Sequence, residues 1–283
     1  MDILSQIIET KKVRVASAKK ARPLTELQGD AMRARKMSAR HALRGALTQN
    51  ERINIIAEFK RRSPSKGEIS RNADPVAVAK TYRLGGAVAL SVLTEEDHFA
   101  GSLDDLCAVR QAIPLPILRK DFIFDEYQVY ESAAAGADAL LLIVTALDDD
   151  ALVRLRTITE DELGMDALVE VHTAEELGRA VQAGARVIGV NNRDLSTFEV
   201  SLETSVQLAS AAPKDTVLIS ESGIGSADDI QRLRGLGYRG FLIGETLMRA
   251  DDPKELLAQF CLAQAKENVS RLVSEPGAVA TGS

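Results

Sequence analysis

GADALLLIV (136–144) sets a glycine and a short turn before six apolar residues in a row, and the chain repeats that texture. A short apolar run bounded by turn residues reads as a strand buried on both faces. Working outward, the comparable runs are Ile53–Phe59, Ala87–Leu93, Pro116–Leu118, Ala139–Val144, Ala167–Val171, Val187–Val190, Thr216–Ile219 and Gly240–Ile243. Each is followed by a polar turn and then a helical pattern, the signature of βα units. Eight such units close a barrel, and the 213 residues from Ile53 to Ala265 allow about 27 per unit, enough for one strand, one helix and two short loops. Glycine also precedes every second run, in GGAVAL (85–90), GADALL (136–141), GARVIG (184–189) and GYRGFL (237–242). A left-handed glycine at a helix end lets the chain turn back into the sheet. The competing open, doubly wound sheet would carry G-x-G-x-x-G after its first strand, and none is present. The expected fold class is α/β, a (β/α)8 TIM barrel over residues 53–268 with an N-terminal helical extension over 1–52.

In that extension Ile3, Leu4, Ile7 and Ile8 recur at helical spacing, and a second helix is expected over Ala31–Leu47, with Pro23 and Gly29 as breakers between the two. Because it lies outside the eight repeats, its first 30 residues are expected to serve substrate binding more than folding. It is also basic, with 12 Lys and Arg against 5 Asp and Glu over residues 1–52, in a chain whose total charge is −6. With no aromatic residue for base stacking and no nucleic-acid motif, it reads as solvated helix faces and no nucleic-acid partner is expected. The longest apolar run is far below the roughly 20 residues that cross a bilayer, so no membrane partner is expected. The amino terminus lacks the h-region of a secretory signal, and the protein is expected to be cytoplasmic. Two cysteines and three histidines stand singly, without metal-ligand spacing, so neither a disulfide framework nor a metal site is expected. The tail, 269–283, has little to bury and is expected to be disordered.

Active sites of such barrels lie at the carboxyl ends of the strands, and here those ends are polar. The first run ends in Glu58-Phe59-Lys60, the third in Arg119-Lys120-Asp121, the fifth in Glu170, the sixth in Asn191-Asn192-Arg193 and the seventh in Ser220-Glu221-Ser222-Gly223. Alternation along a strand puts Glu58 and Lys60 on one face. With Lys120, Glu170 and Glu221 they would place two lysines and three carboxylates at one mouth, an arrangement suited to acid–base work. SESGIGSADDI (220–230) and FLIGETLM (241–248) put glycines at strand-to-helix turns, where free backbone N–H groups can hold a phosphate. Phe99 and Phe122 could wall a flat apolar ring. His172 has no partner visible in the sequence and reads as structural.

At these residues the chain resembles the indole-3-glycerol-phosphate synthases of tryptophan biosynthesis. IAEFKRRSPSKG (56–67), SVLTEEDHF (91–99), PILRKDFI (116–123), LLLIV (140–144), LVEVHT (168–173), GVNNRDL (189–195), ISESGI (219–224) and FLIGETLMR (241–249) follow in that family's order. The resemblance implies a decarboxylating carbon–carbon lyase that closes 1-(2-carboxyphenylamino)-1-deoxyribulose 5-phosphate to indole-3-glycerol phosphate, with loss of CO2 and water and without a cofactor. It further implies Lys120 as general acid, Glu170 as base or relay in the dehydration, and Lys60 as a second acid. Glu58, Asn191 and Glu221 would orient groups and balance charge. Ser63, Arg193, Ser222, Gly223, Gly244 and Glu245 would hold substrate anions, with Phe99 and Phe122 against the ring. Arg62 and Glu245 depart from the commoner form of the motifs; the phosphate would be met there by backbone, so the second departure changes little. The partner is a phosphorylated small molecule. The chain is expected to act as a monomer, with contact to other tryptophan-pathway enzymes left open. Two other readings stand beside this one: a Schiff-base aldolase using Lys120 as nucleophile, and a non-catalytic barrel that binds a phosphorylated ligand.

Overall fold

The computed structural model describes residues 3–48, 52–65, 67–194 and 197–262. Three helices, α1 (Ile3–Ala21), α2 (Leu24–Lys36) and α3 (Ala42–Leu47), precede the first barrel strand. The barrel strands are β1 (Ile55–Phe59), β2 (Ala89–Leu93), β3 (Ile117–Lys120), β4 (Ala139–Ile143), β5 (Asp166–Val171), β6 (Val187–Asn191), β7 (Val217–Glu221) and β8 (Gly240–Ile243). Each pairs in parallel with its neighbour in chain order, and β8 returns to β1 with Leu242 opposite Ile56, so the sheet closes. The helices between and after the strands are α4 (Pro75–Gly85), α5 (Leu103–Ala112), α6 (Glu126–Ala134), α7 (Asp149–Thr157), α8 (Ala174–Gln182), α9 (Glu203–Ala209), α10 (Ala227–Gly235), α11 (Glu245–Met248) and α12 (Pro253–Leu262). The fold is the expected (β/α)8 barrel with a helical extension.

Alternation along each strand sorts the core into two layers. Ile55, Ala57 and Phe59 point out against the helices, while Ile56 points in to meet Leu118, Leu141, Leu168, Ile219 and Leu242. Leu43 and Leu47 of α3 belong to that inner layer and are fully buried, so α3 shuts the amino end of the barrel. Gly86, Gly136, Gly184 and Gly237, the four glycines before alternate strands, all adopt positive φ between 78° and 102°. Side-chain caps fix helix starts: Asp74, Ser102, Asp125, Asp148, Thr173 and Ser226 each accept a backbone N–H at the head of α4, α5, α6, α7, α8 and α10. Each cap contributes about 1 kcal/mol.

Two expectations for the extension are corrected. Gly29 breaks nothing; it lies inside α2. The single helix expected over Ala31–Leu47 is two, because the chain reverses at His41, whose φ is +51°. Its backbone N–H donates to Gly164 O at 2.8 Å, and its Nδ1 lies 3.0 Å from Met165 O. Residues within the first 30 also contribute to the core. Leu27 of α2 is buried in the outer core, and in α1 the side chains of Leu4, Ile7, Lys11 and Val15 form one buried stripe. The barrel's expected end at residue 268 and the expected disorder over 269–283 lie outside the described residues.

The basic character of the arm is matched by the acidity of the loops beneath it. Lys11 Nζ is 2.8 Å from Asp121 Oδ1 and 2.9 Å from Glu96 Oε2, Arg14 Nη2 is 2.6 Å from Asp97 Oδ1, and Lys19 Nζ is 2.7 Å from Asp125 Oδ2. These pairs strap α1 across the carboxyl end of the barrel. Among the described residues no helix is long and apolar enough to cross a membrane.

Candidate active site

The inner face of the barrel changes from apolar to charged toward the carboxyl ends of the strands. Lys120 closes β3 with its side chain inward, and its ammonium sits between two carboxylates, 2.9 Å from Glu170 Oε2 and 2.6 Å from Glu221 Oε2. Lys60, just beyond β1, turns back over the same face, with Nζ 2.9 Å from Glu58 Oε1. Asn191, at the end of β6, lines the same cavity as Glu170 and helps hold its carboxyl ionised. One residue makes this convergence possible. Gly189 lies opposite Glu170 in the sheet, and a Cβ there would run into Glu221 Oε1.

Glu58, Glu170 and Glu221 are almost wholly buried, and burying charge perturbs ionisation. Burial works against the Lys120 ammonium, but Glu170, Glu221 and Glu58 outweigh it and hold the amine well above its ordinary value. For Glu170 burial is outweighed by Lys120 and His172, so the carboxyl falls below its usual range. Glu221 moves the other way. Burial, reinforced by Glu170 and Glu58 against the pull of Lys120, lifts it to about 7. The cluster therefore keeps a charged lysine, a charged Glu170 and a Glu221 that titrates near neutrality.

Two adjoining cavities open above this cluster and share Glu58, Lys60, Lys120, Arg193 and Ser222. The first has an apolar wall: Phe99 and Phe122, ring centroids 6.2 Å apart, face Ile3, Leu4 and Ile7 of α1. Ser63 also lines it, buried, with an Oγ that has no hydrogen-bond partner. The second reaches the loops after β7 and β8. There Ser222 and Gly223 take successive positive φ values of 64° and 80°, and Gly244 and Glu245 open α11. Arg193 spans both cavities, with Nη1 3.1 Å from Ser65 Oγ and Nη2 3.7 Å from Glu245 Oε2. Every residue named from the sequence for catalysis or binding thus lines one cavity or the other.

Three features escaped sequence reasoning. The apolar stripe of α1 read only as helical spacing, and its place over the cavity depends on tertiary pairing. Arg249 lines the second cavity and stands one helical turn after Glu245, with Nε 3.5 Å from Glu245 Oε1. His172, expected to lack a partner, has carboxylates on both ring nitrogens, Glu176 Oε2 at 3.2 Å from Nδ1 and Glu170 Oε1 at 3.5 Å from Nε2. The strand alternation that joined Glu58 to Lys60 also joins Glu170 to His172 and would have found it.

The sequence profile of the indole-3-glycerol phosphate synthases matches residues 4–260, from α1 into α12. The chain belongs to the indole-3-glycerol phosphate synthase family. An indole-3-glycerol phosphate synthase of Kineococcus radiotolerans is 46% identical over 266 residues, covering 94% of this chain and 97% of that protein. One from Laribacter hongkongensis is 48% identical over 261 residues, covering 91% and 98%. Among solved structures, 3-hexulose-6-phosphate synthase from Salmonella typhimurium superposes with a TM-score of 0.60 at 13% identity, over 76% of this chain and 99% of that one, a likeness of fold alone. In this member of the indole-3-glycerol phosphate synthase family, no group of three or more His, Cys, Asp or Glu among the described residues is arranged to hold a metal ion.

Proposed function

We propose that this member of the indole-3-glycerol phosphate synthase family closes 1-(2-carboxyphenylamino)-1-deoxyribulose 5-phosphate to indole-3-glycerol phosphate, releasing CO2 and water. The observation that carries the reading is the Lys120 ammonium held by Glu170 and Glu221 at the floor of a cavity that is aromatic on one side and rich in backbone N–H groups and cations on the other. The phosphate would sit on the Ser222–Gly223 and Gly244–Glu245 turns. The anthranilate ring would lie against Phe99 and Phe122, and its carboxylate and the phosphate would be drawn in by Lys60, Lys120 and Arg193. Held at both ends, the flexible chain is folded so that the ring carbon bearing the carboxylate lies against the ribulose carbonyl carbon. Such positioning accounts for much of the acceleration.

As the carbon–carbon bond forms, negative charge gathers on the carbonyl oxygen. An alkoxide is a far stronger base than a carboxylate, so it takes the proton that Glu170 and Glu221 otherwise hold on Lys120. Loss of CO2 from the ring carbon restores aromaticity. Dehydration then needs a base for a proton on the methylene carbon beside nitrogen and an acid for the departing hydroxyl. Glu170, kept ionised, fits the first role and Lys60 the second. The groups named all come from one chain, which fits a monomer working in the cytoplasm on a phosphorylated small molecule.

The aldolase reading requires Lys120 as a free amine, and its two carboxylate partners oppose that. The deciding experiment is turnover of the ribulotide by purified protein without added metal, followed by indole fluorescence, with borohydride trapping in parallel. Indole formation without an adduct is expected. Tight binding without turnover would leave a non-catalytic binding barrel, and a reduced adduct on Lys120 would replace this mechanism with the aldolase.

A further inference from the structure

Beyond the residues lining the cavities, Glu170 has a histidine behind it. His172 lies just beyond β5, two residues after Glu170, and points to the same side, largely buried, with Nε2 3.5 Å from Glu170 Oε1 in ion-pair range and without a hydrogen-bond partner. Its other nitrogen lies 3.2 Å from Glu176 Oε2 on α8, and Glu176 also accepts from the His172 backbone N–H at 2.7 Å and from Thr145 Oγ1 at 2.5 Å. Glu176 is thus fixed on three sides, and it fixes the imidazole in turn. We propose that His172 is a positioning residue for Glu170: anchored by Glu176, its ring fixes the Glu170 carboxylate and keeps it ionised after Lys120 has given its proton away. This rests on the reading of Glu170 as the base of the later step.

The charge bookkeeping supplies the reason. Before reaction Lys120 serves both Glu170 and Glu221, but once its proton moves to the substrate oxygen the amine is neutral. Two buried carboxylates would then face each other without a counter-charge, and Glu170 would be driven to take up a proton and cease to be a base. An imidazolium on its far side prevents this. The groups facing His172 are Glu170 on β5, Glu176 on α8 and Glu221 on β7, with Lys120 of β3 on the other side of the two strand carboxylates. Burial disfavours the imidazolium, but Glu176, Glu170 and Glu221 together hold its pKa above the ordinary 6.5.

The chain has three histidines, so the His172 ring signals can be assigned by a single His172→Gln comparison and titrated by NMR in the ligand-free protein, independently of any turnover. Titration above pH 6.5 is expected; titration below it would overturn the proposal whatever the enzyme does. In turnover assays of folded His172→Gln and His172→Phe, kcat is expected to fall about 10- to 100-fold, the scale of a small misplacement of a reacting group. KM should stay within about twofold, and the acid limb of the pH profile should move to higher pH as Glu170 loses a cation. Gln, which can still reach Glu170 with an amide N–H, should retain more activity than Phe. Wild-type turnover with unchanged kcat and acid limb in both variants would overturn the proposal. A wild-type protein that fails to turn over the ribulotide would instead remove the reading of Glu170 on which it stands.

Discussion

On the proposed mechanism Lys120 and Glu170 move protons, so removing either should cost rate rather than affinity. Lys120→Ala and Glu170→Gln are expected to lower kcat by about 10²–10⁴-fold with little change in KM, measured by indole fluorescence. Losses confined to KM would show that the two residues hold substrate and leave the proton alone. Glu221 offers a test through stability. Its pKa rises from the ordinary 4.5 in the unfolded chain to about 7 in the folded one. The native state therefore holds a proton that the unfolded state releases. The stabilisation this gives is complete below about pH 4.5 and is lost as pH climbs through 7. Glu221→Gln removes that slope. Relative to the wild type, the variant should gain stability between pH 5 and 8, on the order of 1–3 kcal/mol, read from denaturant unfolding across that window. A constant difference between the two proteins would mean that Glu221 is ionised throughout.

At the scale of elements, the site depends on strands approaching closely where one side chain is missing. Gly189→Ala on β6 would press a methyl group against Glu221 and against Leu168 Cδ1. The expected result is a kcat lower by about 10²-fold, because the Lys120 cluster is displaced. It should be accompanied by a stability loss of about 1–3 kcal/mol from overpacking. Kinetics and a melting curve on the same preparation separate the two effects. The strands themselves were legible because local signals agree: an apolar run, a polar turn and a helical pattern follow in the same order eight times, with a turn glycine before every second run. The four cap glycines could even be assigned a left-handed conformation in advance. Site positions were legible for the same reason, since carboxyl ends of strands in a barrel face one mouth. What could not be read depends on partners distant in the chain. The break between α2 and α3 needs His41 in a left-handed conformation held by Gly164 and Met165, more than 120 residues away. Periodicity within the helix contains no trace of that contact. The register that brings Glu170, Gly189 and Glu221 side by side is likewise a property of the closed sheet.

For the molecule as a whole, the uneven charge along the sequence is an internal match: the cations of α1 pair with carboxylates of the barrel loops. Lys11 is the deepest of them, buried against Asp121, and removing one partner of such a pair costs about 3–5 kcal/mol. Deletion of residues 1–22 should therefore act on both fold and site. A fall in melting temperature is expected, together with a KM for the ribulotide raised at least about tenfold as Ile3, Leu4 and Ile7 leave the cavity wall. An unchanged melting temperature would assign α1 to the site alone. The plug formed by Leu43 and Leu47 sets a different constraint, on traffic. With the far end of the barrel stoppered by α3, the catalytic chamber is a cul-de-sac. Incoming ribulotide and outgoing indole compound must use the same doorway beneath α1 in turn. Newly made product that lingers there blocks the next arrival, so it should inhibit competitively, its effect erased by raising the ribulotide concentration.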